Sequence, residues 1–238
     1  NIVRKLARKS LKSEKRRNLM VVIAVALASC LICFSIVMAL STRQIEKNHV
    51  EDTYEAVYTR ITEEDVSTLK GLDDFSRVGE YYMLAVEPAE QGYNASYIYC
   101  DEETMYIVRD QMKLLEGRLP QKEDEVVVSR YFLSNYAADA GIGEKVMLSS
   151  ESFHGEYTVT GIMEGYKEKE VNGSSILLSK EALKGWSGYD PADYRAYVHF
   201  KNEQQMDETE LTARSREIAK EYQLEMPIMN LSYMKFYK

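Results

Sequence analysis

The sequence predicts an α+β protein in which an N-terminal transmembrane helix precedes a larger extracytoplasmic domain. Three observations support this: a basic start, an uncharged apolar run and an acidic body. The first 18 residues carry eight basic side chains against one acidic side chain, and residues 19–40 carry no charge. Residues 41–238 hold 22 basic and 37 acidic residues. Because an acidic body repels phosphate, nucleic acid is not expected as a partner.

The apolar run is long enough to cross a membrane. Its 22 residues would form a helix of about 33 Å at ~1.5 Å per residue, against a bilayer core of ~30 Å. The eight cations before the run, against Arg43 and Lys47 after it, predict a cytoplasmic N-terminus. We therefore expect a cytoplasmic segment at 1–18 and a transmembrane helix at 19–40. The only body cysteine, Cys100, has no partner for an internal disulfide, which suits a bacterial cell membrane.

Three other interpretations of the apolar run are weaker. A cleaved signal peptide could end at Val37-Met38-Ala39, but its apolar core is ordinarily about 7–15 residues long. A lipoprotein signal would place a lipid on Cys30, although ten uncharged residues follow that cysteine. The buried helix of a soluble core would rarely need an uncharged run of this length. Its length favours a membrane span.

The basic segment before the span has two interpretations, and the sequence does not choose between them. Apolar residues alternate with cations at helical spacing over residues 2–17, which suits a short helix on the cytoplasmic leaflet. An unstructured basic tail that only sets the membrane topology would have the same composition.

The body shows one pattern of elements at both ends. A strand at 56–61, a helix that starts after Thr62 and a strand at 78–86 form a βαβ-like unit. The same order returns near the C-terminus, with a strand at 194–200, a helix at 207–222 and a strand at 226–231. We therefore predict an outer βαβ-type subdomain from residues 55–90 and 190–232, with an inserted β-rich subdomain at 91–189. The insert contains strands at 125–129, 145–148, 157–163 and 175–178, and helices at 130–138 and 179–186.

No residue pattern indicates catalysis, a cofactor or a metal. Gly141-Ile142-Gly143 lacks the rest of a nucleotide-binding loop. The C-x-x-C formed by Cys30 and Cys33 lies within the apolar run, and Cys100 has no signature of a catalytic thiol. The histidines His49, His154 and His199 are scattered without zinc-like spacing. We therefore assign no catalytic, cofactor-binding or metal residue and expect no cofactor. Ligand-binding residues stay unassigned.

Two further clusters have a structural and a functional interpretation. The acidic runs Asp101–Glu103 and Glu123–Glu125 could bind calcium, but solvated faces explain them more simply. Five tyrosines within 19 residues could line a surface for peptide, glycan or lipid, although tyrosine also favours strands. They are Tyr81, Tyr82, Tyr93, Tyr97 and Tyr99.

Several segments together resemble the FtsX-like permeases, the membrane subunits of the MacB type of ABC transporter. One is the basic start that runs into the span, Lys5–Leu11 and Lys15–Leu19. Within the body, similar stretches are Leu115-Glu116-Gly117-Arg118-Leu119-Pro120, Asp124–Ser129, Ala140–Val146 and Tyr157–Met163. Gly143-Glu144 departs from the usual Gly-Asp. The resemblance covers residues 1–40 and 112–165 well, and the other regions only by layout.

The resemblance implies a subunit that couples ATP hydrolysis to extracytoplasmic transport or signalling and has no ATPase motif of its own. Its implied partners are a cytoplasmic ABC ATPase, a second permease chain, the bilayer and an unidentified peptide, lipid or protein cargo. Because family members have four membrane helices, we expect the chain to continue beyond Lys238 into further spans. The alternative is a single-pass, membrane-anchored extracellular binding or sensor module.

Overall fold

The computed structural model of the chain describes residues 2–13, 15–50, 53–109, 111–165, 168–201 and 205–237. Side chains are described for all of these except residues 10–13, 16, 49 and 50. The chain divides into two compact units, residues 1–49 and residues 50–238.

The first unit consists of two helices, α1 (Ile2–Ser13) and α2 (Lys15–Val50). Helix α2 contains a stretch, Arg17–Asn48, that is apolar and long enough to cross a membrane, and none of its most apolar window is buried. This exposure argues against a core helix of a soluble protein. The helix continues ten residues beyond the predicted span, because residues 41–50 contain no glycine or proline that would end it.

The second unit is an α+β body built on a mixed sheet. Its strands are β1 (Ala56–Ile61), β2 (Phe75–Pro88), β3 (Asn94–Cys100), β4 (Met112–Gly117), β5 (Glu125–Ser129), β6 (Lys145–Ser149), β7 (His154–Gly165), β8 (Gly173–Leu178), β9 (Tyr194–Phe200) and β10 (Ile228–Met229). Its helices are α3 (Glu63–Lys70), α4 (Glu102–Ile107), α5 (Arg130–Tyr136), α6 (Glu168–Val171), α7 (Lys180–Gly185), α8 (Glu208–Glu221) and α9 (Leu231–Tyr237).

Four strands from the N-terminal and C-terminal parts of the body are neighbours at one end of the strand order, β10-β1-β9-β2. Strand β9 lies antiparallel between β1 and β2, and β1 lies antiparallel between β9 and β10. The units β1-α3-β2 and β9-α8-β10 are therefore two interleaved split βαβ units, which is the ferredoxin-like arrangement. The prediction that both units share one sheet is confirmed. We call these elements the four-stranded half.

The strands of the inserted segment continue the same sheet beyond β2. The order is β2-β3-β8-β5-β7-β4, and β6 pairs with β7. Strand β3 is parallel to β8 and β5 is parallel to β7, while the other pairs are antiparallel. The division of the body into an outer and an inserted subdomain stays a prediction, since the sheet passes through both. We call the elements from β3 to α7 the insert.

Two apolar clusters cover the two faces of the sheet. The larger cluster includes buried side chains of α3, α5, α7 and α8, such as Leu69, Phe132, Leu183 and Leu211. The smaller cluster includes Met105 and Ile107, so α4 packs on the opposite face. The core therefore continues from the four-stranded half into the insert.

Capping residues explain where the two longest body helices begin. Thr62 and Asp65 form a reciprocal capping box at α3, and Asp207 and Glu210 form one at α8. Each side chain accepts a backbone N–H that the first helical turn leaves unpaired. The predicted start of α3 after Thr62 is confirmed, and α8 lies within one residue of its predicted bounds.

Candidate functional site

The segments that carry the family resemblance meet where β4, β5 and β7 lie side by side. The guanidinium of Arg118 donates to both oxygens of Glu125, with Nη1–Oε2 at 2.8 Å and Nη2–Oε1 at 2.7 Å. The same carboxylate accepts the backbone N–H groups of Gln121 and Lys122. The hydrogen bonds from Arg118 lower the pKa of Glu125 to about 2, although burial alone would raise it. This fully bonded pair closes the turn before β5.

A close backbone approach at this place requires a glycine. Gly117 has a φ of 82°, and a Cβ added to it would overlap the carbonyl oxygen of Thr160. The N–H of Arg118 donates to that same carbonyl at 3.0 Å. The predicted strand at 125–129 is confirmed, and Val126–Val128 within it are buried. The motifs therefore mark a tightly packed structural junction.

The first residues of the body lie beside a segment near its C-terminal end. Asn230 donates from Nδ2 to the carbonyl of Tyr54 at 2.9 Å, and its N–H donates to the carbonyl of Glu55 at 2.8 Å. The side-chain oxygen of Asn230 accepts the N–H of Tyr233 at 3.1 Å. We call this region, residues 53–56 and 228–234, the base of the body. Its hydrogen bonds tie the first residues of the body to the segment that begins α9.

A buried carboxylate fastens the base to the centre of the four-stranded half. Glu55 is fully buried, and its Oε2 accepts the N–H of Phe200 at 2.8 Å. Its Oε1 lies 2.8 Å from Nδ1 of His199. His199 lies on β9, within the strand predicted at 194–200. Its contact with Glu55 joins residues 144 positions apart, for which the sequence offered no signal.

An ion cluster joins the four-stranded half to the insert. The ammonium of Lys180 on α7 lies 2.6 Å from a carboxylate oxygen of Glu80 on β2 and 2.8 Å from one of Glu63 on α3. Burial would lower the pKa of Lys180, but the hydrogen bonds that its ammonium donates to Glu63 and Glu80 outweigh it and raise that pKa. Lys70 lies 2.8 Å from Asp101 and 3.7 Å from Glu80. We call this group the Glu80 cluster, and it ties elements 100 residues apart.

Among the described residues, the cysteines and histidines singled out above are dispersed, although His154 lines one open pocket with Glu123 and Asp124. Within the described ranges, no group of three or more His, Cys, Asp or Glu side chains is placed to hold a metal ion. Cys100 is buried, and burial raises the pKa of its thiol well above the usual range, which makes it a poor nucleophile. His154 lies exposed at the start of β7 and His49 lies in α2, so neither shares an element with His199.

The acidic runs and the tyrosines have structural roles in the body. Asp101 caps α4 by accepting the N–H of Thr104 at 2.8 Å, and Glu103 pairs with Arg77 at 2.8 Å. Among the five clustered tyrosines, Tyr82, Tyr93 and Tyr97 are buried in the larger core cluster, while Tyr81 and Tyr99 are partly buried. These positions favour the strand interpretation of the tyrosines.

Comparisons with known proteins identify the family. A family model for the MacB-like periplasmic core domain matches residues 19–216. Among proteins of curated function, none matches significantly. The extracellular domain of the noncanonic ABC-type transporter YknZ from Gram-positive bacteria has a similar structure, with a TM-score of 0.51 and 16% identity over 73% of this chain and 97% of that one. The periplasmic region of MacB from Actinobacillus actinomycetemcomitans gives a TM-score of 0.53 and 13% identity over 79% and 93%.

At these identities the two structures establish the fold, while the family match rests on the sequence itself. That match begins with the apolar run and continues through most of the body. The chain therefore belongs to the MacB-like periplasmic core domain family, and it carries the extracytoplasmic domain of a MacB/FtsX-type ABC transporter permease behind an N-terminal apolar helix.

Proposed function

We propose that the chain acts as a permease subunit that couples ATP hydrolysis by a separate cytoplasmic ATPase to movement of the body outside the membrane. One observation carries this proposal: the family match runs without interruption from the apolar run into the body, so one continuous chain joins the two. A protein built this way transmits motion through its backbone and needs no catalytic residue of its own.

The proposal places α2 across a bacterial cell membrane with the N-terminus in the cytoplasm. The excess of cations before the apolar run supports this orientation. The hydroxyls of Ser35 and Thr42 donate to the carbonyls four residues earlier, each at 2.9 Å. The bond of Ser35, which lies within the apolar run, satisfies a hydroxyl that hydrocarbon would otherwise leave unpaired, and it suits a helix in a membrane.

The proposal assigns the transmission of force to the C-terminal part of α2 and to the base of the body. Residues 41–50 extend the helix past the apolar run, and a helix is stiffer than a flexible linker of the same length. At the base, Asn230 joins the entering segment to the start of α9. A displacement that reaches residues 53–56 would therefore be shared with α9.

The proposed partners are a cytoplasmic ABC ATPase, a second copy of the permease chain and an unidentified peptide, lipid or protein cargo. The ATPase is proposed because the chain belongs to the MacB-like family. The related protein structures come from transporters of the ABC type, which supports the same division of labour. The cargo-binding residues are not assigned.

Copurification tests this proposal directly. The protein would be tagged, expressed from its own gene in its own host and purified in mild detergent, and ATP hydrolysis in the eluate would be measured with and without vanadate. We expect vanadate-sensitive hydrolysis by an associated ABC ATPase. An eluate without ATPase would contradict the proposal and favour the alternative of a single-pass binding or sensor module.

Cysteine labelling tests the orientation. Glu151→Cys places a thiol on an exposed position of the body, and Lys9→Cys places one on α1. A membrane-impermeant maleimide added to intact cells should label Glu151→Cys but not Lys9→Cys, with the wild type as the baseline for its own three cysteines. Labelling of Lys9→Cys alone would reverse the proposed orientation.

A further inference from the structure

A pocket lies on the face of the sheet that carries the smaller apolar cluster. It has a volume of about 200 Å³. Strands β2, β3, β8 and β9 form its floor, and the segment that joins α4 to β4 forms a wall. Several of these side chains are partly exposed, which leaves the pocket accessible. The floor includes Tyr81, Met83, Ser96 and Tyr197, and the wall includes Gln111 and Met112.

The lining suits an aromatic ligand without a charge. Tyr81 and Tyr197 meet edge to face, with ring centroids 5.7 Å apart and ring planes at 84°. A third ring would extend this arrangement favourably. Met83 and Met112 add thioethers, which pack against ring edges and adapt to the shape of a ligand. The described residues that line the pocket are uncharged, so a charged group would be buried there without a partner.

Size and hydrogen bonding narrow the ligand further. An engineered cavity of about 150 Å³ holds benzene, so this pocket of about 200 Å³ has room for one ring with a small substituent. Ser96 lies on the floor, and its hydroxyl has no hydrogen-bond partner among the described residues. A phenol hydroxyl or an indole N–H would supply one. Of the five tyrosines that cluster in the sequence, only Tyr81 lines this pocket, so the two features are different.

We propose that this pocket binds one neutral aromatic ring with a hydrogen-bonding group, a phenol or an indole, whose polar group pairs with Ser96. The ring would belong either to a tyrosine or tryptophan side chain of a peptide or to a small aromatic molecule. This assigns a class of ligand to the extracytoplasmic body, and its consequence for coupling rests on the proposed function. A packing gap that no ligand enters is the competing interpretation.

Two lining residues connect the pocket to the base of the body. The ring of Tyr197 meets the ring of Tyr54 edge to face, with centroids 4.8 Å apart. Burial raises the pKa of Tyr54, and a hydrogen bond with the side chain of Gln111 opposes that rise. Because Tyr54 lies in the base, a ligand that orders Tyr197 and Gln111 would also restrain the segment through which the proposed function transmits motion.

Methyl NMR tests the inference with the full chain in nanodiscs. The methionine methyl groups would be isotopically labelled, and Met83→Leu and Met112→Leu would assign the two lining resonances, since leucine nearly conserves the volume of methionine. p-Cresol is the probe, because a ring bound beside these methyl groups shifts their resonances through its ring current. Met147 is the internal control, since its side chain is exposed on β6 and lies outside the pocket.

We expect saturable shifts of the Met83 and Met112 resonances with p-cresol and no shift of Met147. Benzoate has a ring of similar size but a negative charge, and it should bind at least about tenfold more weakly because its carboxylate would be desolvated without a partner. The absence of saturable shifts at Met83 and Met112 with p-cresol would overturn the inference and leave a packing gap. Equal binding of benzoate would overturn the assignment of a neutral ligand.

Two substitutions at Ser96 separate the effect of space from that of hydrogen bonding. Ser96→Phe fills the pocket and should abolish the shifts, with an unchanged Met147 resonance as the sign of an intact fold. Ser96→Ala leaves the space and removes the hydroxyl, so p-cresol should bind about fivefold more weakly. Toluene, which has no hydroxyl, should bind the wild type and Ser96→Ala equally. Unchanged binding of p-cresol by Ser96→Phe would place the ligand elsewhere and contradict the inference.

The same sample distinguishes the two sources of the ring. A blocked Gly-Tyr-Gly peptide that shifts the same methyl resonances at lower concentration than p-cresol would identify a peptide ligand, and shifts with p-cresol alone would identify a small aromatic molecule. Occupation of the pocket should slow amide exchange at residues 53–56. Unchanged exchange there would contradict the link to the base.

The outcome is independent of the copurification experiment. Because the nanodisc sample contains no ATPase, a failure of p-cresol to bind would overturn the inference about the pocket and leave the proposed function standing. An eluate without ATPase would contradict the proposed function and leave the methyl shifts unaffected.

Discussion

The four-stranded half and the insert share one sheet but are held together by different interactions. In the four-stranded half, capping boxes start α3 and α8, and the hydroxyl of Tyr58 donates to the backbone of Ser215 at 3.0 Å to seat α8 on the sheet. In the insert, Gly117 lets two backbones meet closely, and Arg118 with Glu125 closes the adjacent turn.

The residues that identify the family and the residues that the proposed function uses therefore lie in different regions of the body. The motifs of the insert are constrained by tight packing, so they are recognisable in the sequence. The base lies in the four-stranded half and depends on single contacts such as those of Asn230. In this protein the recognisable motifs lie where two backbones pack closely, whereas the contacts that the proposed function uses lie at the base.

The largest effect is expected from Gly117→Ala. The substitution combines the strain of a positive φ, ~1–2 kcal/mol, with overpacking against Thr160, ~1–3 kcal/mol, so the loss of stability should reach about 3 kcal/mol. Gly92→Ala is the matched control, since Gly92 has a φ of 85° but open space around its Cβ position. Denaturant unfolding followed by Trp186 fluorescence measures both. Equal losses would show that close packing at Gly117 is unimportant.

Lys180→Met tests whether the Glu80 cluster holds the two halves together. The substitution leaves the buried carboxylate of Glu80 with only the more distant Lys70, and we expect a cost of about 2 kcal/mol. Lys184→Met is the control, because Lys184 contacts only the more exposed Glu63 in the cluster, and its loss should cost less than about 1 kcal/mol. The same unfolding measurement compares them, and a smaller loss for Lys180→Met would contradict the assignment.

Asn230→Ala tests the base. Removing its side chain breaks the bonds to Tyr54 and Tyr233, and the expected cost is about 1–2 kcal/mol, concentrated locally. Amide hydrogen exchange should accelerate in residues 53–56 and 228–237 more than in the insert. Asn135→Ala, whose side chain bonds only within α5, is the control. Uniform acceleration across the body would mean that the base is not a distinct unit.

The smallest effect is expected for the pH dependence of Glu125, because the side chain of Arg118 is about half exposed and solvent screens the ion pair. Its pKa in the folded protein is about 2, below the ordinary value of 4.5, so its ionised form stabilises the fold above about pH 4.5. That contribution is lost as the pH falls from about 4.5 toward 2. Glu125→Gln should therefore lower stability at pH 7 and lower it less near pH 2. A difference from wild type that does not change with pH would contradict the ion pair with Arg118.

Local patterns in the sequence predicted much of the fold. The strand at 194–200 and the starts of α3 and α8 were predicted because alternation and capping are encoded within a few residues. Strand β3 and helix α4 were missed, since the tyrosines indicated strands only in general, without bounds, and the acidic run was interpreted as a solvated face. The placement of β9 between β1 and β2 depends on pairing across the whole chain, which short-range patterns do not contain.

Most contacts of the candidate site could not be predicted from the sequence. Arg118 and Glu125 lie seven residues apart inside a recognised motif, so this pair could have been predicted from the local sequence. Lys180 and Glu80 lie 100 residues apart, and Asn230 and Tyr54 lie 176 apart. Such pairs form because the sheet brings distant segments together, and no local pattern of charge or polarity predicts them.

Hydrogen exchange in two nucleotide states of the ATPase complex tests the central claim most directly. The complex would be compared in nanodiscs without nucleotide and with ATP and vanadate, and exchange would be followed at residues 53–56 and 228–237. If the chain couples the proposed cytoplasmic ATPase to the body, exchange at the base should change with the nucleotide state. Identical exchange at the base in both states, with nucleotide binding confirmed, would contradict coupling through this chain.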